Sequence, residues 1–193
     1  MRGGKIAEIG CGAGEILNEL TRFLPDCRCE GFDISPHAIT LAQPRSHSRL
    51  SFRVADFSQT PKEVRYDVVL LMDVIEHVED YFGFLRAIRG RATHYIFHIP
   101  LDLSCQTVLR EAHMVARKEV GHLQYFTKES ALATLTDTGY DVVDHFYTPS
   151  HELILNRRLP HHILDAIRRL AFPIAPDLAV RVFGGYSLLV LAR

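Results

Sequence analysis

The stretch Lys5-Ile6-Ala7-Glu8-Ile9-Gly10-Cys11-Gly12-Ala13-Gly14-Glu15 decides how the rest of the chain is read. A short strand-like run ends in three glycines at every second position, and a helical pattern starts at Glu15. Glycine at a strand-to-helix turn lets the backbone pass close to a ligand, and in an open parallel sheet that turn opens into the binding crevice. A dinucleotide turn of the form G-x-G-x-x-G would place its third glycine at position 15. Glu15 stands there instead, and a carboxylate facing a pyrophosphate at a helix N-terminus is electrostatically unfavourable. A nucleotide-linked dehydrogenase is therefore disfavoured.

Outward from this turn, apolar runs that read as buried strands recur at 5–9, 29–33, 51–55, 66–72, 94–99, 141–147 and 186–192. Helical patterns at 15–24, 36–43, 81–89, 103–117, 128–138 and 160–171 fall mostly between them. Ser35-Pro36 supplies an N-cap and a first-turn proline, Thr127 with Glu129 opens another helix, and Gly139 closes it. The alternation predicts an α/β fold with a doubly wound, mostly parallel sheet. The 193 residues, 47% hydrophobic and 23% charged, suffice for one domain over 1–193. Near Pro149 the composition shifts toward Arg, His and Pro, which marks a helical insertion at 150–184 before the last strand.

The net charge of −1 provides no global field for nucleic acid or an anionic membrane, although the 11 histidines would turn the chain positive in acid. Cys11, Cys27, Cys29 and Cys105 form no C-x-x-C pair and read as free thiols in a reducing compartment. No window approaches the roughly 18 apolar residues of a membrane span. A soluble, cytoplasmic protein is expected.

The second strand ends at Gly31-Phe32-Asp33-Ile34, about 20 residues beyond the glycine turn, where an acid accepts hydrogen bonds from both ribose hydroxyls. A further acid follows the third strand in Val54-Ala55-Asp56-Phe57. Three successive strands thus deliver a glycine turn or a carboxylate to one sheet edge. On these residues the chain resembles the class I S-adenosylmethionine-dependent methyltransferases. Tyr66 to His77, the run Gly121-His122-Leu123-Gln124-Tyr125-Phe126-Thr127 and the closing strand from Gly185 to Ala192 also look like that class, the last two like its small bacterial type 11/23 branch.

The resemblance implies a Rossmann-like sheet of seven strands in the order 3-2-1-4-5-7-6, the last strand antiparallel. It implies S-adenosylmethionine as cofactor and S-adenosylhomocysteine as product. Gly10, Cys11, Gly12 and Gly14 would pass the methionine portion, and Glu8 would orient the loop or the cofactor's amino group. Asp33, with Ile34 beside it, would hold the ribose, and Asp56 with Phe57 would meet the adenine edge. Leu71 to Asp73, Met72 among them, would line the floor under the sulfonium. Relatives commonly carry one or two helices before the first motif, whereas about seven residues precede Glu8 here. A cover over the crevice is then expected from 102–121 or 152–183.

Methyl transfer from a sulfonium needs alignment of donor and acceptor and, for a hydroxyl or amine, a base. His77 and His122 are the candidate bases, set against a plain role in bracing turns. Asp73, Glu76 and His77 are spaced i, i+3, i+4, which on a helix puts them on one face, and His122 would complete a set suited to Mg²⁺, Mn²⁺ or Zn²⁺. The pattern is similar to metal-dependent O-methyltransferases of quinone synthesis and of small-RNA 3′ ends; those families usually place Glu at the position of Asp73, and no metal is assigned.

Residues 157–170 read as an amphipathic helix with a basic face, suited to covering the sheet or to peripheral contact with an anionic surface. The leading function is methyl transfer to an oxygen or nitrogen of a small-molecule, sugar or lipid-linked acceptor. Two alternatives are a non-catalytic module that keeps the cofactor pocket and an RNA-directed enzyme using Arg157, Arg158, Arg168 and Arg169. A nucleic-acid partner is disfavoured by the charge balance. The sequence leaves the oligomeric state open.

Overall fold

The computed structural model describes residues 3–61, 63–150 and 159–193. Seven strands, β1 (Lys5–Ile9), β2 (Arg28–Asp33), β3 (Leu50–Val54), β4 (Tyr66–Met72), β5 (Ala92–Pro100), β6 (Val142–Pro149) and β7 (Tyr186–Ala192), form one sheet in the order β3-β2-β1-β4-β5-β7-β6. β1 to β5 are parallel, and β7 runs antiparallel to both β5 and β6. The order and the reversed last strand are those the resemblance implied.

The central strands alternate between two apolar layers because successive side chains of a strand point to opposite faces. On one face Ile6 and Leu70 pack with Leu17 of α1 (Glu15–Phe23) and with Ile39 and Ala42 of α2 (Pro36–Ala42). On the other, Ala7, Val69 and Leu71 pack with Leu85 and Ile88 of α3 (Tyr81–Ile88) and with Leu135. Helices on both faces make the sheet doubly wound, so its carboxyl edge is left to loops.

One expectation needs correction. The helix over 103–117 is two helices, α4 (Cys105–Leu109) and α5 (Ala112–Glu119), because Glu111 adopts φ 54° and breaks the path. Thr127 caps α6 (Lys128–Asp137) with Glu129 in its first turn, as expected; Ser130 is the reciprocal capping partner, and Glu129 also pairs with Arg181. Between β6 and β7 lie α7 (Leu159–Ala171), close to the expected 160–171, and an additional helix, α8 (Pro176–Phe183), whose first-turn Pro176 was its legible signal.

Candidate functional site

Three constraints shape the turn after β1. The Gly10 and Cys11 N–H groups donate to Phe32 O at 2.8 and 3.1 Å, so the turn is tied to the end of β2. Gly14, at φ 78°, packs so closely on Phe52 that an added Cβ would strike the ring. Gly12, at φ 52°, differs because the place of its missing Cβ is open space. The Gly12 N–H donates to Asp33 Oδ2 at 3.0 Å and the Ser35 N–H to Asp33 Oδ1 at 2.8 Å, which fixes the carboxylate plane while leaving lone pairs outward.

A cavity of about 440 Å³ opens over this edge, lined among others by Gly10, Asp33, Ile34, Asp56, Phe57 and His77. Asp56 caps the turn that follows by accepting from the Ser58 N–H at 2.9 Å. Phe57 borders the cavity from the core: its ring is buried against Phe32, 5.0 Å between centroids, with the Arg91 guanidinium over it. Cys11 is buried, and Met72 packs with the α1/α2 layer, so neither side chain joins the cavity lining.

Glu8 is buried just below the turn, and its Oε2 has no hydrogen-bond partner among the described residues. Burial first, and the Asp33 charge second, raise its pKa from 4.5 to about 8. The same burial, with Glu8 and Asp33 nearby, pushes the Cys11 thiol up to about 12 and makes it a poor nucleophile.

Beyond Asp73 lies a second cavity of about 600 Å³, under α4, α5 and α7. Asp73 lines both cavities. It follows β4 with φ 54°, donates its N–H to His98 O at 3.0 Å and accepts from His98 Nδ1 at 2.6 Å. His98 Nε2 in turn lies 2.8 Å from Thr148 Oγ1. This corrects the reading of Asp73, Glu76 and His77 as one helical face: the left-handed Asp73 is followed by a three-residue 3₁₀ turn, Ile75–His77, and Asp73 is claimed by β5. The same cavity holds a second carboxylate–imidazole pair, His122 Nδ1 with Asp102 Oδ2 at 2.6 Å. His98, Thr148 and Asp102 were missed in the sequence, where only their places just past or near strand ends could have marked them.

Between the cavities the His77 and His122 rings meet edge to face, with centroids 5.0 Å apart. Ligand atoms of Glu76, His77 and His122 lie within 4.8 Å of one another. His77 Nδ1 lies 3.1 Å from Gly121 O, and that carbonyl, like the Asp102 carboxylate, only accepts, so both imidazoles carry their proton on Nδ1. Both Glu76 oxygens are buried with no hydrogen-bond partner among the described residues, and burial foremost lifts the Glu76 pKa to about 8. An orphaned carboxylate facing two imidazoles anchored from behind fits a divalent cation.

Both segments expected to cover the crevice wall the second cavity: Gln106, Arg110 and Val120 from one side, Leu164 and Arg168 from the other. Arg168 is buried, bound to Asp165 at 2.9 Å and to Phe183 O, so it is not presented to a phosphate backbone. Arg157 and Arg158, cited for the RNA reading, lie outside the described residues.

A seven-stranded sheet of this order, with a glycine turn and strand-end acids around one crevice, defines a Rossmann-like methyltransferase domain. A family model described as "Methyltransferase domain" matches residues 2–145, and the chain belongs to that methyltransferase family. Its cofactor is S-adenosylmethionine. A ubiquinone biosynthesis O-methyltransferase of Rhodopseudomonas palustris (strain BisA53) is 34% identical over 90 residues, which cover 44% of this chain and 34% of that protein. The match thus spans about a third of the relative's length.

Among solved structures, an S-adenosylmethionine-dependent methyltransferase from Mesorhizobium loti superposes with a TM-score of 0.65 at 16% identity, covering 100% of this chain and 91% of that one. The N-methyltransferase NodS from Bradyrhizobium japonicum WM9, solved with S-adenosyl-L-homocysteine, superposes with a TM-score of 0.60 at 18% identity, covering 98% and 77%. No described helix is long and apolar enough to cross a membrane.

Proposed function

We propose that the chain, as one methyltransferase domain over 1–193 with 150–184 as its insertion, transfers a methyl group to an oxygen or nitrogen of a small-molecule, sugar or lipid-linked acceptor. One observation carries this reading: a cavity over the glycine turn and a second cavity share Asp73, with His77 lining the first and His122 the second. A donor in one and an acceptor in the other would face each other at that point.

The donor supplies an electrophilic methyl carbon on a sulfonium. Glu8, whose orphaned Oε2 lies beneath the turn, would receive the amino group; Gly10, Gly12 and Gly14 would pass the methionine portion. Asp33 with Ile34 would hold the ribose, and Asp56 with Phe57 the adenine edge. Cys11 and Met72 enter this reading through their backbone alone. His122, held by Asp102, would take the acceptor's proton on Nε2 as the new bond to the methyl carbon forms and the carbon–sulfur bond breaks, with His77 bracing its ring. The exposed Cys105 thiol supports a reducing, cytoplasmic setting.

A second reading of the same histidines is favoured by their Nδ1 anchors. Glu76, His77 and His122 would hold a divalent cation that polarises an acceptor oxygen, in place of His122 acting as base. Calorimetric titration of metal-stripped protein with S-adenosylhomocysteine, then with NADH, each repeated with Mg²⁺ or Zn²⁺, tests both. Micromolar product binding with no NADH response is expected, and a heat of cation binding lost in Glu76→Gln identifies the metal. Absence of product binding overturns the first reading and leaves a methyltransferase-like module without catalysis.

A further inference from the structure

Among the described residues only Asp73 and Glu111 combine a positive φ with a side chain other than glycine's. A left-handed aspartate at a strand end costs backbone energy and persists where its surroundings hold it. Here the holder is His98 of β5, which pairs with Met72 in the β4–β5 register. The Asp73 N–H donates to His98 O at 3.0 Å, and His98 Nδ1 lies 2.6 Å from Asp73 Oδ1, so backbone and side chain are both clasped.

The clasp supplies no counter-charge. Thr148 Oγ1 lies 2.8 Å from His98 Nε2 and 3.4 Å from Ser187 O, so the shorter bond takes the hydroxyl proton and Nε2 accepts it. Nδ1 then carries the one ring proton, and a neutral imidazole faces Asp73. No lysine or arginine among the described residues pairs with Asp73, whose side chain is 52% exposed.

Sheet order decides what this carboxylate faces. In the order β3-β2-β1-β4-β5, the cavity over the glycine turn runs from Asp56 and Asp33, past Gly10, to Asp73 and His77. Asp33 and Asp56 accept from backbone N–H groups, Glu76 is buried, and Asp102 is bound to His122. Among the described residues Asp73 alone lines both cavities. With adenine at Asp56 and ribose at Asp33, a methyl group aimed at the second cavity brings its sulfonium beside Asp73. This placement rests on the two-cavity reading proposed above.

Donor and product differ at that point by one positive charge. When the carbon–sulfur bond breaks, its electron pair stays on sulfur and the sulfonium charge is gone. We propose that Asp73, oriented by His98 and Thr148, selects the charged donor over the neutral product, so that methyl transfer itself removes the attraction and eases product release. Asp73 meets the cofactor in this role, and His98 is a positioning residue. Asp73 stands outside the Glu76, His77 and His122 group, and metal-stripped protein keeps the two roles apart.

Calorimetric titration of that protein with S-adenosylmethionine and, separately, with S-adenosylhomocysteine tests this without an acceptor. Asn tolerates the left-handed conformation, so Asp73→Asn should lower the preference for donor over product about five- to tenfold while product affinity stays within about twofold. His98→Leu should show a smaller loss of the same kind. His98→Asn, with an amide donor at the place of Nδ1, should restore most of it, and His98→Leu should add nothing once Asp73→Asn is present. Rising salt should erode the preference of the native chain more than that of Asp73→Asn. An unchanged preference in Asp73→Asn beside intact product binding overturns this inference alone and assigns Asp73 to the acceptor. Equal loss of both ligands also overturns it, because Asp73 would then only prop the turn. A native chain that binds neither ligand overturns the two-cavity reading together with the inference built on it.

Discussion

The cavity over β1 and β2 is shaped by backbone: a turn tied to Phe32 O, and an aspartate whose two oxygens each hold an N–H of a neighbouring loop. The cavity under α4 and α7 is shaped by side chains that pair across 20 to 50 residues, Asp102 with His122 and Asp73 through His98 to Thr148. Each half nevertheless contains a buried, orphaned carboxylate, Glu8 in one and Glu76 at the boundary with the other. The first half is fixed by backbone hydrogen bonds, and the second is a set of hydrogen-bonded pairs in which one changed partner alters the whole lining. On the proposed function, acceptor specificity is easiest to change in the second half.

The largest expected effect probes what the halves share. The pKa values of Glu8 and Glu76 are raised from 4.5 to about 8 in the fold. An acid that is harder to ionise when folded contributes stability fully below its unfolded pKa and loses it as pH rises through the folded one. The ligand-free protein should therefore be most stable near pH 4.5 to 5 on this account and weaken toward pH 8, by up to about 1.4 kcal/mol per pH unit for each group. Chemical denaturation across that range checks it. S-adenosylhomocysteine should flatten the Glu8 share and Glu8→Gln abolish it, whereas only Glu76→Gln or a divalent cation should remove the other share. A profile that rises toward pH 8 breaks the comparison.

Next is Gly14→Ala. A left-handed residue driven into the Phe52 ring should cost about 2–4 kcal/mol of stability, read as a shift in denaturation midpoint with unchanged slope. Asp33→Ala follows, with a loss of about 1–3 kcal/mol in S-adenosylhomocysteine binding from the missing charge-assisted hydrogen bonds. Asp102→Asn and His98→Gln, in the other half, should leave that affinity within about twofold. Equal losses on both sides would mean that the cavities are one site.

The same division explains what could be read in the sequence. The glycine turn, Asp33 and Asp56 follow from local periodicity and from strand ends, where backbone geometry restricts residue type, whereas the sheet order was implied only by the family resemblance. Asp102 and His122, or Asp73 and His98, obey no period, because their partners are set by how strand ends meet in space. The sequence spacing even misled at Asp73: i, i+3, i+4 implied a helix, yet a left-handed residue and a bond to β5 won. The break at Glu111 was equally hidden, since nothing in the pattern of 103–117 marks a positive φ.

The smallest expected effect separates the two uses of glycine within one turn. Gly12 shares the left-handed conformation of Gly14, but a Cβ there meets no atom within 4 Å. Gly12→Ala should therefore cost only the backbone penalty, about 1 kcal/mol of stability. If the open space belongs to the cofactor, the methyl group will intrude on the ligand instead of the fold, and affinity for S-adenosylhomocysteine should drop by more than stability does. Gly14→Ala should show the opposite ranking, because its clash lies inside the protein. Denaturation and calorimetry on the two variants give four numbers, and a Gly12→Ala chain that binds product normally would move the cofactor off the turn.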